Sequence, residues 1–216
     1  RIQAYEIDEI RFLTGFDASE QIPSALAESE KLILKQPKRY ITGEHKMEAL
    51  WRTFVGNCTG SPEYKYPAPR KYLRHFEAFR LNNEDKNRAD KLSIAARTAR
   101  SNSARQFFDS ARRVMRGRRF CVTRKGLFAA VPRNAQVGDL VCVFAGGMTP
   151  YVIRPGSCPR KSRARRLFVN VANPDSVENG QTLSTYTFIG ECYCHGFGEG
   201  QALLMDDFRW QEVWLS

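Results

Sequence analysis

No stretch of this 216-residue sequence comes near the roughly 18 consecutive apolar residues that a membrane-spanning helix needs. The opening Arg1-Ile2-Gln3-Ala4-Tyr5-Glu6 also lacks the apolar run of a secretory signal. An intracellular, cytoplasmic chain is therefore expected. Position 1 is not Met, and the natural chain is expected to extend upstream of Arg1. The signatures of common catalytic centres are missing too. There is no G-x-S-x-G elbow, no P-loop, no G-x-G-x-x-G after a strand and no H-E-x-x-H. Gly196-Phe197-Gly198-Glu199-Gly200 is glycine-rich but too compact to cradle a phosphate, and reads as a corner after a strand. Histidine is scarce, at three residues. His45 and His75 have no acidic or thiol partner at useful spacing. No catalytic residue, cofactor or metal is expected, and the chain does not read as an enzyme.

Six cysteines are present: Cys58, Cys121, Cys142, Cys158, Cys192 and Cys194. A chain of this length can bury a core without disulfides, and nothing points to an oxidising compartment. Cys121, Cys142 and Cys192 lie in apolar strand-like runs, where free Cys behaves as a small hydrophobe. Cys192-x-Cys194-His195 is the nearest approach to a metal motif, with Cys158 the sole distant fourth candidate. Zinc sites usually space their cysteines by two to four residues and need about four ligands, so zinc is not expected.

Acidic residues are also in short supply, with 23 Asp and Glu against 34 Lys and Arg, a net charge of +11. Residues 1–35 carry net −3, residues 36–120 net +12 and residues 121–216 net +2. The middle third thus holds the excess. Such a field draws anionic partners, whether nucleic acid, acidic protein or anionic lipid; the alternative is a set of solvated helix faces. A second basic run, Arg160-Lys161-Ser162-Arg163-Ala164-Arg165-Arg166, is a candidate anion-binding loop through Arg160, Lys161, Arg163, Arg165 and Arg166. It has no interleaved aromatics for base stacking.

What remains is ordinary folded-protein material. Residues 2–12 read as a strand bulged near Asp8. Residues 23–34 read as a short helix with Ser24 as cap. In residues 42–55, Met47, Leu50, Trp51, Phe54 and Val55 share one helical face, with Thr42 placed to cap it and Gly56 to end it. Gly60, Pro62, Pro67 and Pro69 mark residues 57–70 as a loop. Helices resume over 71–81 and 85–116, the second interrupted or kinked at Ser101-Asn102-Ser103. After Gly117 the period changes to that of strands, over 120–123, 127–131, 140–145, 151–154, 167–171, 185–193 and 208–215. Turn pairs separate them, such as Lys125-Gly126, Gly138-Asp139, Gly146-Gly147 and Asn179-Gly180. The expected architecture is α+β, with a mainly helical region over 1–117 that includes the first strand. A small antiparallel β-sheet, barrel-like, follows over 118–216.

The second half also carries a recognisable series of segments. Gly117-Arg118-Arg119-Phe120 leads to Thr123 and Lys125-Gly126. Gln136-Val137-Gly138-Asp139-Leu140-Val141-Cys142-Val143 follows, then Gly146-Gly147 and Pro150-Tyr151-Val152-Ile153-Arg154-Pro155. Phe188-Ile189-Gly190-Glu191-Cys192-Tyr193-Cys194-His195-Gly196 and Gly200-Gln201-Ala202 complete it, with Leu50-Trp51-Arg52-Thr53-Phe54 upstream. In order and content this resembles the C-terminal region of fungal heterokaryon incompatibility (HET) domain proteins. Ala129 and Ala130 stand where that family usually has Gly, the connection over 155–184 is long, and the HET domain itself is absent from these residues.

The resemblance implies a non-catalytic regulatory or interaction region in fungal self/non-self recognition. Its partner would be an N-terminal HET effector domain, another protein, or both. The rival reading is a basic nucleic-acid-binding module built on the helical half and the Arg160–Arg166 loop. Most matched residues read as shapers of the backbone: Gly126, Gly138, Asp139, Gly146, Gly147, Gly190 and Gly196 at turns, with Arg154 and Glu191 as a possible cross-strand ion pair.

Overall fold

The computed structural model describes residues 1–15, 21–60, 64–84, 94–156 and 185–215. The expected strand over 167–171, the Asn179-Gly180 turn, Cys158 and the Arg160–Arg166 loop lie outside these residues. In chain order the elements are β1 (Ile2–Leu13), α1 (Ile22–Leu34), α2 (Lys46–Phe54), α3 (Leu73–Glu84) and α4 (Ile94–Met115). They are followed by β2 (Arg118–Thr123), β3 (Phe128–Pro132), β4 (Leu140–Phe144), β5 (Tyr151–Pro155), β6 (Thr185–Glu191), β7 (Tyr193–Cys194) and β8 (Gln211–Leu215). The architecture is α+β, with helices concentrated in the first half.

Two helix starts differ from the sequence expectation. Thr42 does not cap α2: residues 39–45 close a tight turn of their own, with Tyr40 N–H bonded to Glu44 O at 2.8 Å, and the cap passes to His45, whose Nδ1 accepts from Met47 N–H at 3.2 Å. At α1 the cap position is Gln21, without a side-chain bond, and Pro23 serves the first turn. The Ser101-Asn102-Ser103 stretch does not interrupt α4, which runs unbroken for 22 residues.

Strand pairing closes a ring. β1 pairs with β4 (Ala4 opposite Phe144 through Glu9 opposite Leu140) and with β8 (Ile2 opposite Val213). β4 pairs with β5, β5 with β6, and β6 with β8, so the circuit returns to β1. One buried cluster, comprising Ala4, Leu140, Cys142, Phe144, Ile153, Tyr186 and Val213, draws on all five of these strands. That is how side chains fill the interior of a small barrel. The ring is not wholly antiparallel: β6 and β8 run parallel. The far end of β1 leaves the ring and pairs with β2, which continues the sheet through β3 to β7.

The bulge expected near Asp8 is present, as a register shift between Glu6 and Asp8. A second shift lies between Ile10 and Phe12. Bulges bend and twist a strand, which lets β1 serve both the ring and the outer layer.

The larger core joins helices to that outer layer. Phe54 of α2 stacks on Phe120 of β2 at 5.9 Å, Tyr40 meets Phe128 at 4.8 Å, and Phe76 of α3 meets Phe107 of α4 at 5.2 Å. Trp51, Phe54, Phe107, Phe120 and Phe128 are all fully buried in it, together with Ile10 of β1. Gly117 thus marks a change of secondary structure, while the core runs across it. Because Phe54 belongs to both layers, Phe54→Ala is expected to cost about 3–5 kcal/mol. Urea denaturation followed by tryptophan fluorescence and by far-UV circular dichroism should show one shared transition, shifted equally in both signals.

Candidate functional site: a basic cleft on the helical side

The residues expected to shape turns sort into three kinds of position. Gly126, Gly138, Gly146 and Gly196 all have positive φ, as a turn glycine should. Gly147 does not: a Cβ there would lie 2.7 Å from the Tyr151 ring and 3.2 Å from Phe144 O, so close packing is what excludes a side chain. Gly190 is not in a turn but inside β6, at φ 148°, where the pairing with β5 slips by one residue. It forms a strand bulge.

The Arg154–Glu191 pair is not formed. The β5–β6 register sets Arg154 opposite Thr187 and Glu191 opposite Tyr151, at the other end of the ladder. Arg154 instead reaches Asp139 with two bonds, Nε to Oδ1 at 2.8 Å and Nη2 to Oδ2 at 3.0 Å. Arg154 Nη2 also donates to Asn134 O at 2.8 Å, and Asp139 Oδ2 accepts from Gln136 N–H at 2.8 Å. Asp139 thus both closes its turn and anchors it to β5. The Asp139 bonds raise the Arg154 guanidinium above its usual range.

His195 lies at the junction between β7 and the turn over 39–45. Its Nε2 is bonded to Glu44 Oε1 and its Nδ1 to Tyr193 Oη at 2.9 Å. Tyr40 completes the junction, donating to His195 O at 3.0 Å and accepting from Phe128 N–H at 2.9 Å. Both imidazole nitrogens are engaged, so the C-x-C-H segment is built into the protein's own bonding. Burial drives the Cys192 and Cys194 thiols well above their ordinary range. Among the described residues no group of three or more His, Cys, Asp or Glu is placed to hold a metal. Burial tends to raise the Glu44 carboxyl, but the hydrogen bond and charge of His195 outweigh it, and Glu44 is held below the usual carboxylate range.

A cleft of about 720 Å³ is lined by Thr59, Gly60, Lys65, Pro69 and Lys71 together with residues of α3 and α4. Among the described residues its lining includes Lys65, Lys71, Arg74 and Arg113, against one carboxylate, Asp109. The floor is neutral and buried: Tyr72 Oη lies 2.7 Å from Ser110 Oγ and donates to Gln106 O at 3.1 Å. Burial raises the Tyr72 phenol, while Ser110, Arg113 and the Gly60 backbone moderate the shift. His75 lies edge-on to Tyr72 at 4.8 Å. Burial, aided by Arg74, lowers its imidazole, so it is neutral near pH 7. Sequence reading located both helices and the loop that precedes α3, but not this cleft. The available signal was the density of cations over residues 65–116, which alone could not say that α3 and α4 pack against each other.

A family profile described as the Het-6 beta-barrel domain matches residues 25–181. The chain belongs to the Het-6 beta-barrel domain family. That places it among the fungal HET-associated proteins, the group its segments resemble. Comparisons with curated proteins and with solved structures gave no match. The profile stops short of the whole barrel: β1 precedes the matched span, and β6, β7 and β8 follow it.

Substitutions at two sites test the bonding of this Het-6 barrel domain. Arg154→Ala leaves the Asp139 carboxylate, 2% exposed, with one backbone donor, and should cost about 1–3 kcal/mol by chemical denaturation. Glu191→Ala should change stability little, and the Arg154/Glu191 double variant should be additive. The Glu44 contribution has a definite sign in pH. Its folded carboxyl is depressed, so the stabilisation is complete above the unfolded carboxylate range and is lost as pH falls through the folded value. Between pH 6 and pH 3, wild type should lose more denaturation midpoint than Glu44→Gln.

Proposed function

We propose that this domain is a non-catalytic regulatory region of a fungal HET protein, and that it works inside the cell by binding an acidic surface of a partner protein. The HET effector domain of such a protein is the first candidate. The observation that carries the reading is the segregation of charge on the helical side. Arg97, Arg105, Arg112 and Arg113 are exposed along α4, Arg116 just after it, and Arg70, Lys71 and Arg74 beside it. The cleft between them has four cations to one acid among the described residues.

The side chains best suited to chemistry support the same reading, because they are engaged elsewhere. His195 has both nitrogens bonded, Asp139 has both oxygens bonded, and Cys121, Cys192 and Cys194 are buried with raised thiols. Five described cysteines are free, which suits a reducing compartment.

Calorimetric titration of the domain with a purified HET effector domain tests this. Binding should weaken at least about tenfold in the triple variant Arg97→Glu/Arg105→Glu/Arg112→Glu, with the melting temperature little changed. Indifference to the reversal, or no binding, would remove the proposal. The same cationic helices favour nucleic acid as the second reading. Micromolar or tighter binding to duplex DNA that falls steeply with salt, with no binding of the effector domain, would put it first.

A further inference from the structure

We propose that the domain associates head to tail with a second copy of itself, the acidic and apolar segment over residues 199–210 of one copy seating on the α4 arginines of the next. This rests on the reading of the helical side as a binder of acidic protein surfaces, and it names one such surface.

The apolar part of the segment comes first. Leu203 and Leu204, adjacent in the single-turn helix Gln201–Leu204, are 53% and 83% exposed, and Trp210 is 36% exposed. An open apolar stretch rimmed by charge marks a contact surface. The inward side of the segment is fastened. Ala202 is buried in the main core, Tyr5 Oη donates to Asp207 at 2.7 Å, and the rings of Phe208 and Tyr5 meet at 4.9 Å. A surface already held in place gives up little freedom on docking.

Charge is the second observation. Exposed Glu199, Asp206 and Asp207 flank the leucines, with Arg209 the one cation of the segment, in a chain of net charge +11. In the other acid-rich stretch, residues 1–35, the described carboxylates of Glu9, Glu28 and Glu30 are taken by Arg124, Gly15 N–H and Arg80, and that of Asp8 by Lys125 N–H. Two copies of so basic a chain repel in most orientations. The meeting of residues 199–210 with α4 is an orientation that attracts.

The receiving face suits both parts of the segment. Arg97, Arg105 and Arg112 are spaced by eight and seven residues, which puts them on one stripe of α4. All three are exposed, and every cation of the helix is an arginine. The planar fork of arginine pairs with carboxylates, and its stem lies along apolar side chains such as the two leucines. The one acid of the helix, Asp109, is 3.7 Å from Arg105 in a largely exposed pair, where such a contact is weak. Because the two faces differ, each added copy leaves one of each kind open, and association proceeds to a chain or a closed ring.

The test is sedimentation velocity over a concentration series, at low and at high salt. The wild-type domain should associate as concentration rises at low salt and return to monomer at high salt. Leu204→Ser/Asp206→Asn, which alters one face, and Arg97→Glu/Arg105→Glu/Arg112→Glu, which reverses the other, should each weaken self-association at least about tenfold. Mixed together, the two variants should form a one-to-one complex and stop there, since each keeps the face the other lacks. Melting temperatures establish that both are folded. A wild type that stays monomeric, a variant that associates as the wild type does, or a mixture that stays monomeric overturns the proposal. Effector-domain binding that still depends on the α4 arginines would then leave the proposed function standing. Conversely, self-association without effector-domain binding would retain the head-to-tail contact alone.

Discussion

The division of β1 among three partner strands is the constraint on which the rest of the fold depends. Its first residues pair with β8, its middle with β4, and its last with β2. A flat strand could not serve a closed ring and a separate outer layer. The two register shifts supply the necessary bend. The bulge at Asp8 also directs a buried carboxylate at the β2–β3 turn, where Asp8 Oδ2 accepts from Lys125 N–H at 2.6 Å. Farther along, Ile10 exchanges backbone bonds with the Gly138-Asp139 turn, at 2.8 and 2.9 Å, and Asp139 in turn holds Arg154 of β5. Barrel, outer sheet and turn are thus joined through about six residues of one strand.

Onto the outer sheet the helices bring their aromatic residues. The Phe54–Phe120 and Tyr40–Phe128 contacts bury rings that would expose large apolar areas if the two halves separated. With the apolar side of the helices committed to this core, their polar side faces outward, and exposed Arg97, Arg105, Arg112 and Arg113 lie along α4. The cleft follows from the same arrangement. It forms where α3 and α4, packed together through Phe76, Phe79 and Phe107, meet Thr59, Gly60, Lys65 and Pro69.

The residues that resemble HET-family segments turn out to be those that bend or fasten backbone. Gly138 and Asp139 make a turn and clamp it; Gly147 yields to a packed tyrosine; Gly190 makes a bulge. The sequence expectation differs from the structure at Gly190, which lies in a strand and not in a turn, and at the pairing of Arg154. Glu191 was the plausible partner because both residues lie on neighbouring strands, but a difference of three positions along a ladder is roughly 10 Å. Which carboxylate lies within reach depends on register, and register was not readable.

By itself the sequence determined the local features: the apolar helical faces at Leu50, Trp51 and Phe54, the unbroken apolar runs of β3 and β4, the glycines that require positive φ, and the bend near Asp8. Each follows from side-chain periodicity or backbone sterics acting over a few residues. Only the tertiary structure decided that β1 closes a barrel, that β8 returns parallel to β6, that His195 binds Glu44 some 150 positions earlier, and that Lys65, Tyr72 and Arg113 border one cleft. Those relations join residues far apart in the chain. They are chosen by which arrangement buries the shared aromatic core while leaving each buried polar group a partner, a balance no short segment contains.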